Sequence, residues 1–300
     1  MEEIKKVTVA GGGTLGSQIA WQTAFMGFEV CVYDAFAEGI ERCKKYHHDY
    51  AVIFRAKRGA SQADIEAAAA RLSYTTDLAE AIKDADLLSE SVPEDLEIKK
   101  EFYRALAKVA PAKTIFTTNT STLLPSQIAA ETGRPERFLA LHFANQIWYN
   151  NVGEVMGHSG TDPAIFDRVI AFAQEIAMVP IPIYKEQHGY VLNSLLVPFI
   201  TAAGNLLVND IATPESIDKA WMIGMGTKVG PCAIMDVIGM QTIYNVDMLW
   251  GQRLKDETAF ARAAYIKENF IDKGKMGVKT REGFYKYPNP AYRDPDFVKS

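Results

Sequence analysis

Short apolar runs alternate with segments of helical periodicity along the first half of the chain. This alternation is typical of βαβ units, and it predicts an α/β fold with a Rossmann-type, mainly parallel sheet. The segment from about Ala37 to Arg71 is long, charged and alanine-rich, and predicts a helical hairpin inserted after the second strand. The predicted strands cover residues 6–10, 29–33, 86–90, 114–118 and 137–143.

The pattern changes near Gly189, where strand-like runs give way to long apolar segments with helical periodicity. We therefore predict an all-helical C-terminal domain. Prolines and charged residues interrupt the pattern between Pro182 and Gly189. The predicted domains are residues 1–186 and 187–300.

A glycine-rich loop follows the first predicted strand and opens the next helix. Gly11, Gly13 and Gly16 form the spacing G-x-G-x-x-G, with Thr14 and Leu15 at the start of the helix. The first glycine permits a tight turn, the second lets the backbone approach a pyrophosphate, and the third allows close helix packing. Glycines alone also occur in ordinary turns, but the strand before and the helix after this loop predict a dinucleotide site.

An acidic residue ends the second predicted strand. Asp34 lies 18 residues after Gly16, about where a ribose-binding acid belongs in such a fold. A carboxylate there accepts from a ribose 2′-hydroxyl and repels a 2′-phosphate. Because the next residues, Ala35 and Phe36, supply no arginine, NAD is favoured over NADP as the cofactor.

One histidine and one carboxylate fall in neighbouring short apolar runs in LALHFANQIWYNNVGEVM. A neutral imidazole at His142 can take or give a proton near neutral pH. A carboxylate at Glu154, aimed at the other ring nitrogen, would fix the tautomer and stabilise the imidazolium. The pair predicts a proton-transfer site. The other histidines, which we predict to be surface residues, are His47, His48, His158 and His188.

Composition excludes several partners. The formal net charge of −5 argues against nucleic acid, and no apolar run approaches the roughly 20 residues that span a bilayer. The three cysteines are odd in number and lack metal-ligand spacing, so we expect reduced thiols, no disulfide framework and no metal site. The N-terminus enters a strand without a secretory pattern, which favours a soluble cytoplasmic protein. The partner that we expect is a small-molecule substrate.

Six motifs together resemble one family along nearly the whole chain. They are the glycine loop, ESVPEDLEIKKEF, TNTSTL, LHFAN followed by GEVM, GYVLNSLLVP and GVKTREGFYKY. In order and spacing they resemble the 3-hydroxyacyl-CoA dehydrogenase family. Within that family, the run HFAN…WxNN is most similar to the diketoreductase type.

The resemblance implies roles for residues that match these motifs. His142 would be the general base when an alcohol is oxidised and the general acid when a ketone is reduced, and Glu154 would orient it. Ser121 and Asn193 would bind the reacting oxygen. The residues implied to line the cofactor near its nicotinamide are Glu94, Lys99 and Asn119. The family also forms dimers through its second domain, so a homodimer is expected.

The segments expected to hold the substrate depart from the family pattern. Where the family usually has Phe-Asn-Pro, this chain has Ala144, Asn145 and Gln146. Asn193 is followed by Ser194, where the family usually has arginine. The family also has a glutamate in the segment that corresponds to Thr201 to Gly204, and this chain has none there. We predict Asn145 to contact the substrate.

Two interpretations stay open for Trp148 and for a group of three cations, all of which are candidate substrate contacts. Trp148 is interpreted either as a wall of the substrate pocket or as core packing. Arg55, Lys57 and Arg58 match the region where the family binds CoA phosphates, although three cations also suit a solvated helix end.

The resulting hypothesis is an NAD-dependent enzyme that interconverts a 3-hydroxyacyl (CoA) compound and its 3-oxo form. One alternative is a reductase of CoA-free β-keto or diketo esters, and another is an enzyme like L-gulonate 3-dehydrogenase. A non-enzymatic alternative is an NAD(H)-binding sensor or structural protein.

Overall fold

The structure, a computed structural model, describes residues 3–299. These residues form two compact units whose boundary lies between Asn193 and Ser194. The boundary expected from the sequence, between residues 186 and 187, precedes it.

An eight-stranded sheet forms the first unit. Its strands are β1 (Lys6–Ala10), β2 (Glu29–Tyr33), β3 (Leu72–Thr75), β4 (Leu87–Glu90), β5 (Ile115–Thr118), β6 (Phe138–Phe143), β7 (Val152–Met156) and β8 (Val179–Ile183). They lie in the order β3-β2-β1-β4-β5-β6-β7-β8. Neighbouring strands are parallel except for β6 and β7, which pair antiparallel. The mainly parallel Rossmann-type sheet is therefore confirmed.

The five predicted strands are all present, each within a residue of its predicted ends. The five predicted strands did not include β3, β7 and β8. The sequence of β3, LSYT, has no fully buried residue, so the hydrophobic pattern there is weak. Parallel pairing with β2 makes β3 an edge strand of the sheet.

Helices accompany this sheet in the first unit. They are α1 (Thr14–Phe25), α2 (Ala37–Arg58), α3 (Gln62–Ala70), α4 (Leu78–Ile82), α5 (Leu96–Ala107) and α6 (Pro163–Glu175). The inserted helical hairpin is confirmed as α2 and α3. Gly59 ends α2 in the left-handed region at φ 68°, and Ser61 with Asp64 forms a capping box that begins α3.

Burial of aromatic rings attaches the hairpin to α1. Trp21 is 2 % exposed, and its ring centroid lies 6.0 Å from that of the fully buried Phe54 of α2. Packing of this kind stabilises a helix more than its intrinsic propensity does. The hairpin therefore fixes the helix that follows the glycine loop.

The second unit is helical, as predicted. Its helices are α7 (Leu192–Val208), which begins in the first unit, α8 (Pro214–Met225), α9 (Pro231–Ile238), α10 (Met240–Leu254) and α11 (Glu257–Asn269). Two buried aspartates fasten its C-terminal segment. Asp236 accepts the N–H groups of Phe284 and Tyr285 at 2.7 and 2.9 Å, and Asp218 accepts the hydroxyl of Tyr285 at 2.8 Å. None of the helices between residues 3 and 299 has the length and hydropathy needed to cross a membrane.

Candidate active site

The glycine loop has the close backbone approaches that the motif predicts. Gly11 adopts φ 103°, and a Cβ there would lie 2.4 Å from the carbonyl oxygen of Ser91. A Cβ on Gly16 would lie 2.0 Å from the carbonyl oxygen of Gly11, so helix and loop touch at these positions. A Cβ on Gly13, in contrast, would meet no atom within 4 Å. The space beside Gly13 is where a ligand can approach the backbone.

The N-terminus of α1 suits an anion. Gly13 is the N-cap and gives no side-chain hydrogen bond, and the first turn, which contains Thr14 and Leu15, has no acidic residue. The first N–H groups of a helix lack intrahelical partners, and the helix dipole favours negative charge there. This end of α1 can therefore bind a pyrophosphate.

Asp34 stands at the end of β2, beside the glycine loop. Its carboxylate accepts the N–H of Gly12 at 2.9 Å and that of Phe36 at 3.0 Å. A Cβ on Gly39 would lie 2.3 Å from the carboxyl carbon of Asp34, so α2 leaves no room for the side chain to turn away. A carboxylate has about four acceptor sites, which leaves capacity for the hydroxyls of a ribose. The residues of the loop thus fit an NAD site.

Two antiparallel strands place a histidine opposite a carboxylate. His142 of β6 and Glu154 of β7 are direct partners in the register, and His142 Nδ1 lies 2.8 Å from Glu154 Oε2. Both side chains are buried, and the ring of Tyr190 covers the imidazole with 5.0 Å between centroids. Low polarity around the pair strengthens the interaction between the two groups.

The second oxygen of Glu154 holds the start of α7. Oε1 accepts the N–H groups of Val191 and Leu192, each at 2.8 Å. Burial alone would raise the pKa of Glu154, but the hydrogen bonds from His142 and from these backbone groups outweigh it and lower the pKa. The ionised carboxylate can only accept, so Nδ1 of His142 carries the proton and Nε2 of the neutral ring is free to act as a base. Asn193, the residue after Leu192, occupies the second position of this helix.

A second carboxylate orders the loop after β5. Glu94 Oε1 accepts the N–H groups of Ser121 and Thr122 at 2.9 and 3.1 Å and the hydroxyls of Thr120 and Thr122. Burial raises the pKa of Glu94, but the bonds from Thr120 and the charge of Lys99 dominate, and the net shift is downward. Ser121 is thereby fixed through its backbone.

Lys99 is buried with a partner that the sequence prediction did not include. Its ammonium lies 2.6 Å from Glu90 Oε1 and 3.4 Å from Glu94 Oε2, and the side chain is 1 % exposed. Glu90 is itself fully buried and also accepts from Val92 N–H and the hydroxyl of Thr118. Lys99 thus links the end of β4 to Glu94, while its predicted contact with the cofactor stays a prediction.

Asn119 joins three strand ends. Its Oδ1 accepts the N–H of Phe143 at 2.9 Å, and its Nδ2 donates to Ser91 Oγ at 3.3 Å. Phe143 follows His142 directly, and Ser91 is the residue over which Gly11 packs. The amide therefore connects the strand of the histidine to the glycine loop.

The residues predicted to hold the substrate have mixed surroundings. Asn145 is exposed, and its Oδ1 accepts from Gln18 Nε2 at 2.7 Å. Trp148 is 7 % exposed and packs on Tyr50 with 4.9 Å between centroids, which is the core-packing interpretation left open above. Arg58 stands over the ring of Phe54 at 5.2 Å and donates to the carbonyl of Trp148 at 3.4 Å. All three cations, Arg55, Lys57 and Arg58, are exposed in the last turn of α2.

One prediction was wrong, because His47 is not a surface residue. It is 4 % exposed, with Nδ1 2.7 Å from the Tyr74 hydroxyl and Nε2 2.9 Å from the Ser17 carbonyl. Burial lowers the pKa of His47 to about 4, so its ring is neutral. The ring fastens α2 to α1 and β3. Of the other three, His48 and His188 are exposed and His158 is half-buried.

Sequence reasoning also missed Glu90 and Gln18. Glu90 stands in a buried strand of the motif ESVPEDLEIKKEF, and the lysine nine residues later was the available signal for a buried pair. Gln18 carries no such signal, because its partners lie some 127 residues away.

The comparisons with known proteins agree with this geometry. Residues 6–187 match the model of the 3-hydroxyacyl-CoA dehydrogenase NAD binding domain, and residues 189–287 match the model of the C-terminal domain of the same family. The chain therefore belongs to the 3-hydroxyacyl-CoA dehydrogenase family. It is an NAD-dependent oxidoreductase of that type, so the alternative of a sensor without catalysis is not retained.

Individual relatives cover nearly the whole chain. A mitochondrial hydroxyacyl-coenzyme A dehydrogenase of Mus musculus is 32 % identical over 289 residues, 95 % of this chain and 91 % of the relative. A probable 3-hydroxybutyryl-CoA dehydrogenase of Bacillus subtilis (strain 168) is 31 % identical over 290 residues, 95 % of this chain and 98 % of the relative. A solved structure of a diketoreductase, studied for dual catalysis of dicarbonyl compounds, is 50 % identical, with a TM-score of 0.91, and covers 96 % of this chain and 100 % of its own.

Proposed function

We propose that this enzyme interconverts a 3-hydroxyacyl compound and its 3-oxo form with NAD, and that His142 and Glu154 move the proton. The 2.8 Å contact between His142 Nδ1 and Glu154 Oε2 carries the proposal. Bound NAD would accept or supply the hydride. The fit of the glycine loop and of Asp34 to a dinucleotide supports that part.

The tautomer that Glu154 imposes on His142 determines which ring nitrogen exchanges the proton with the substrate. In the oxidation direction Nε2 of His142 takes the hydroxyl proton of the substrate, and the carboxylate of Glu154 stabilises the imidazolium. In the reduction direction the same nitrogen returns the proton to the ketone oxygen. Ser121 and Asn193 are the neutral donors that we propose for the reacting oxygen.

The cofactor contacts follow the same reasoning. Gly11, Gly13 and Gly16 would lie against the pyrophosphate with Thr14 and Leu15, and Asp34 would accept from the adenosine ribose. Asn119 and Glu94 order the strand ends near the glycine loop, which supports their placement beside the nicotinamide. The two-domain division at residues 186 and 187 belongs to this proposal, with NAD bound by the first domain.

A CoA-free substrate is the second candidate. One observation favours it, the 50 % identity to a diketoreductase. Arg55, Lys57 and Arg58 are all exposed and are the contacts proposed for the first candidate.

A steady-state assay separates the candidates. NADH oxidation is followed with acetoacetyl-CoA and with ethyl acetoacetate, which carry the same 3-oxo group. A kcat/KM at least about tenfold higher for the thioester, about 1.4 kcal/mol in transition-state binding, supports CoA recognition. A preference for the ester supports the second candidate. If neither compound is reduced, nor a sugar acid oxidised, the proposed reaction is wrong.

We also propose a homodimer formed through the second unit, in a cytoplasmic location. Large apolar side chains that are more than 60 % exposed support the interface: Leu195, Ile211, Ile223, Met225, Val237 and Leu254. We propose that these side chains lie together in the interface, because contiguous exposed apolar surface marks protein–protein contacts. The three free cysteines suit a reducing compartment. Light scattering during gel filtration tests the dimer, and fractionation of cells tests the location.

A further inference from the structure

Gln18 has a set of contacts that the mechanism above does not use. It lies on α1, just past the glycine loop, and is 3 % exposed. Its Oε1 accepts the N–H of Gln146 at 2.7 Å and that of Ile147 at 3.3 Å, and its Nε2 donates to Asn145 Oδ1 at 2.7 Å. Because backbone N–H groups only donate, the oxygen and nitrogen of the Gln18 amide cannot be exchanged.

The partners of Gln18 belong to residues 145–150, here called the amide segment. Within it, Gln146 adopts φ 60° in the left-handed region, and its carbonyl accepts the N–H groups of Tyr149 and Asn150 at 2.8 and 3.0 Å. Asn150 Nδ2 donates a hydrogen bond to the carbonyl oxygen of Asn145 at 2.7 Å. A left-handed residue costs free energy that the surroundings must offset, and the bonds from Gln18 do so.

Proline cannot replace Gln146 in this conformation. Proline has φ near −65° and no N–H, whereas Gln146 has φ 60° and its N–H is bonded to Gln18. The Phe-Asn-Pro run usual in the family therefore requires a different backbone at these positions. The amide segment follows His142 within three residues, so the difference falls beside the proton-transfer pair.

A second attachment limits the movement of the segment. The Trp148 ring is buried against Tyr50 and Phe54 of α2, with centroid distances of 4.9 and 5.7 Å. Gln18 holds the N-terminal end of the segment and Trp148 its middle. The exposed side chains are left to face solvent or a ligand, and they include Gln146 and Tyr149, which is 51 % exposed. The segment NQIWYN has no charged residue.

We propose that Gln18 is a specificity-determining positioning residue, which holds the amide segment so that its neutral polar side chains recognise an uncharged oxygen-bearing group of the substrate, such as an ester or second carbonyl. This inference rests on the proposed function, because it assumes a 3-oxo substrate at His142. Neutral amide and phenol groups bind such oxygens without the desolvation cost of a charge.

The test replaces Gln18 with alanine and compares ester and thioester. We expect Gln18→Ala to raise the KM for ethyl acetoacetate at least tenfold while kcat changes less than threefold, and to lower the ester-to-thioester ratio of kcat/KM. Hydrogen exchange of residues 145–150 should become faster, and the Kd for NADH should stay within twofold. Gln22→Ala is the matched control. It removes a buried amide of the same helix, which donates to the Ile176 carbonyl at 2.9 Å, accepts from Arg58 Nη1 at 3.5 Å and bonds to none of residues 145–147.

Two further variants keep the test decisive. Gln18→Glu retains the acceptor for both N–H groups but cannot donate to Asn145 Oδ1, so it should fold and show a smaller rise in KM. Gln146→Pro should reproduce the Gln18→Ala phenotype. Wild-type KM, substrate ratio and exchange rates in Gln18→Ala and Gln18→Glu would overturn the inference, as would a loss of kcat alone. Failure of the wild type to reduce any 3-oxo compound would instead overturn the proposed function.

Discussion

Glu154 binds His142 with one carboxylate oxygen and the first N–H groups of α7 with the other. The distances are 2.8 Å to His142 Nδ1 and 2.8 Å to each of the N–H groups of Val191 and Leu192. The same carboxylate thus sets the tautomer of the histidine and anchors the helix that contains Asn193. Proton transfer and the position of a proposed donor to the reacting oxygen therefore depend on one side chain.

Replacing His142 with glutamine should remove acid–base catalysis and little else. We expect kcat for a 3-oxo substrate to fall by about 10²–10⁴-fold, the usual contribution of a positioned acid or base. The Kd for NADH, measured by fluorescence, should not change, because the glycine loop and Asp34 are untouched. Near-wild-type turnover would show that another group transfers the proton.

Replacing Glu154 with glutamine should affect both activity and stability. The variant can still contact His142, but it lacks the charge that stabilises the imidazolium, so kcat should fall at least about tenfold. Because the pKa of Glu154 is lowered in the folded protein, its charge contributes stability above the ordinary value of 4.5, and this contribution is lost as pH falls through the folded pKa.

The pH dependence gives a separate measurement for Glu154. The difference in free energy of unfolding between wild type and Glu154→Gln, from urea titrations, should be larger at pH 7 than at pH 4. An equal difference at both values would mean that the carboxylate charge does not stabilise the fold. Glu101→Gln, at an exposed position of α5, removes one negative charge elsewhere in the first unit and is the control.

Particular residues show how far the sequence alone predicts this molecule. The five strands with strong apolar runs were predicted, whereas β3 was missed because LSYT at the sheet edge is half-exposed and carries no such run. His142 and Glu154 were predicted as a pair because they fall in neighbouring short apolar runs, 12 residues apart. The burial of His47 was not predicted, because its partner Tyr74 lies 27 residues away on β3.

The buried ion pair of Lys99 and Glu90 should be costly to break from one side. Lys99→Met would leave the fully buried Glu90 carboxylate without its cation, and we expect a loss of about 3–5 kcal/mol in the free energy of unfolding. The double variant Glu90→Gln/Lys99→Met should recover part of that loss. A stability of Lys99→Met within about 0.5 kcal/mol of wild type would show that the pair is not coupled in this way.

The loss of stability in Lys99→Met should depend on pH with the opposite sign to the loss in Glu154→Gln. Burial raises the pKa of Glu90 even with Lys99 present, and removal of the cation should raise it further. A carboxyl group whose pKa is higher in the folded state takes up a proton on folding, so stability rises as pH falls. The deficit of Lys99→Met relative to wild type should therefore shrink between pH 8 and pH 5, and a deficit that grows over this range would contradict the assignment.

Substitution of Gly13 should weaken NADH binding, whereas substitution of Gly16 should lower the free energy of unfolding. Serine at position 13 is a good N-cap, meets no atom within 4 Å of its Cβ, and takes the place of a glycine with φ −70°, so the free energy of unfolding should change by less than about 1 kcal/mol. The new side chain would fill the space in which we place the pyrophosphate, and the Kd for NADH should rise at least about tenfold.

Gly16→Ala is the contrasting variant, because its Cβ would lie 2.0 Å from the Gly11 carbonyl and should destabilise the fold by about 1–3 kcal/mol. Chemical denaturation and NADH titration of both variants separate the two effects. A Gly13→Ser variant that binds NADH normally would exclude close approach of the pyrophosphate to this residue.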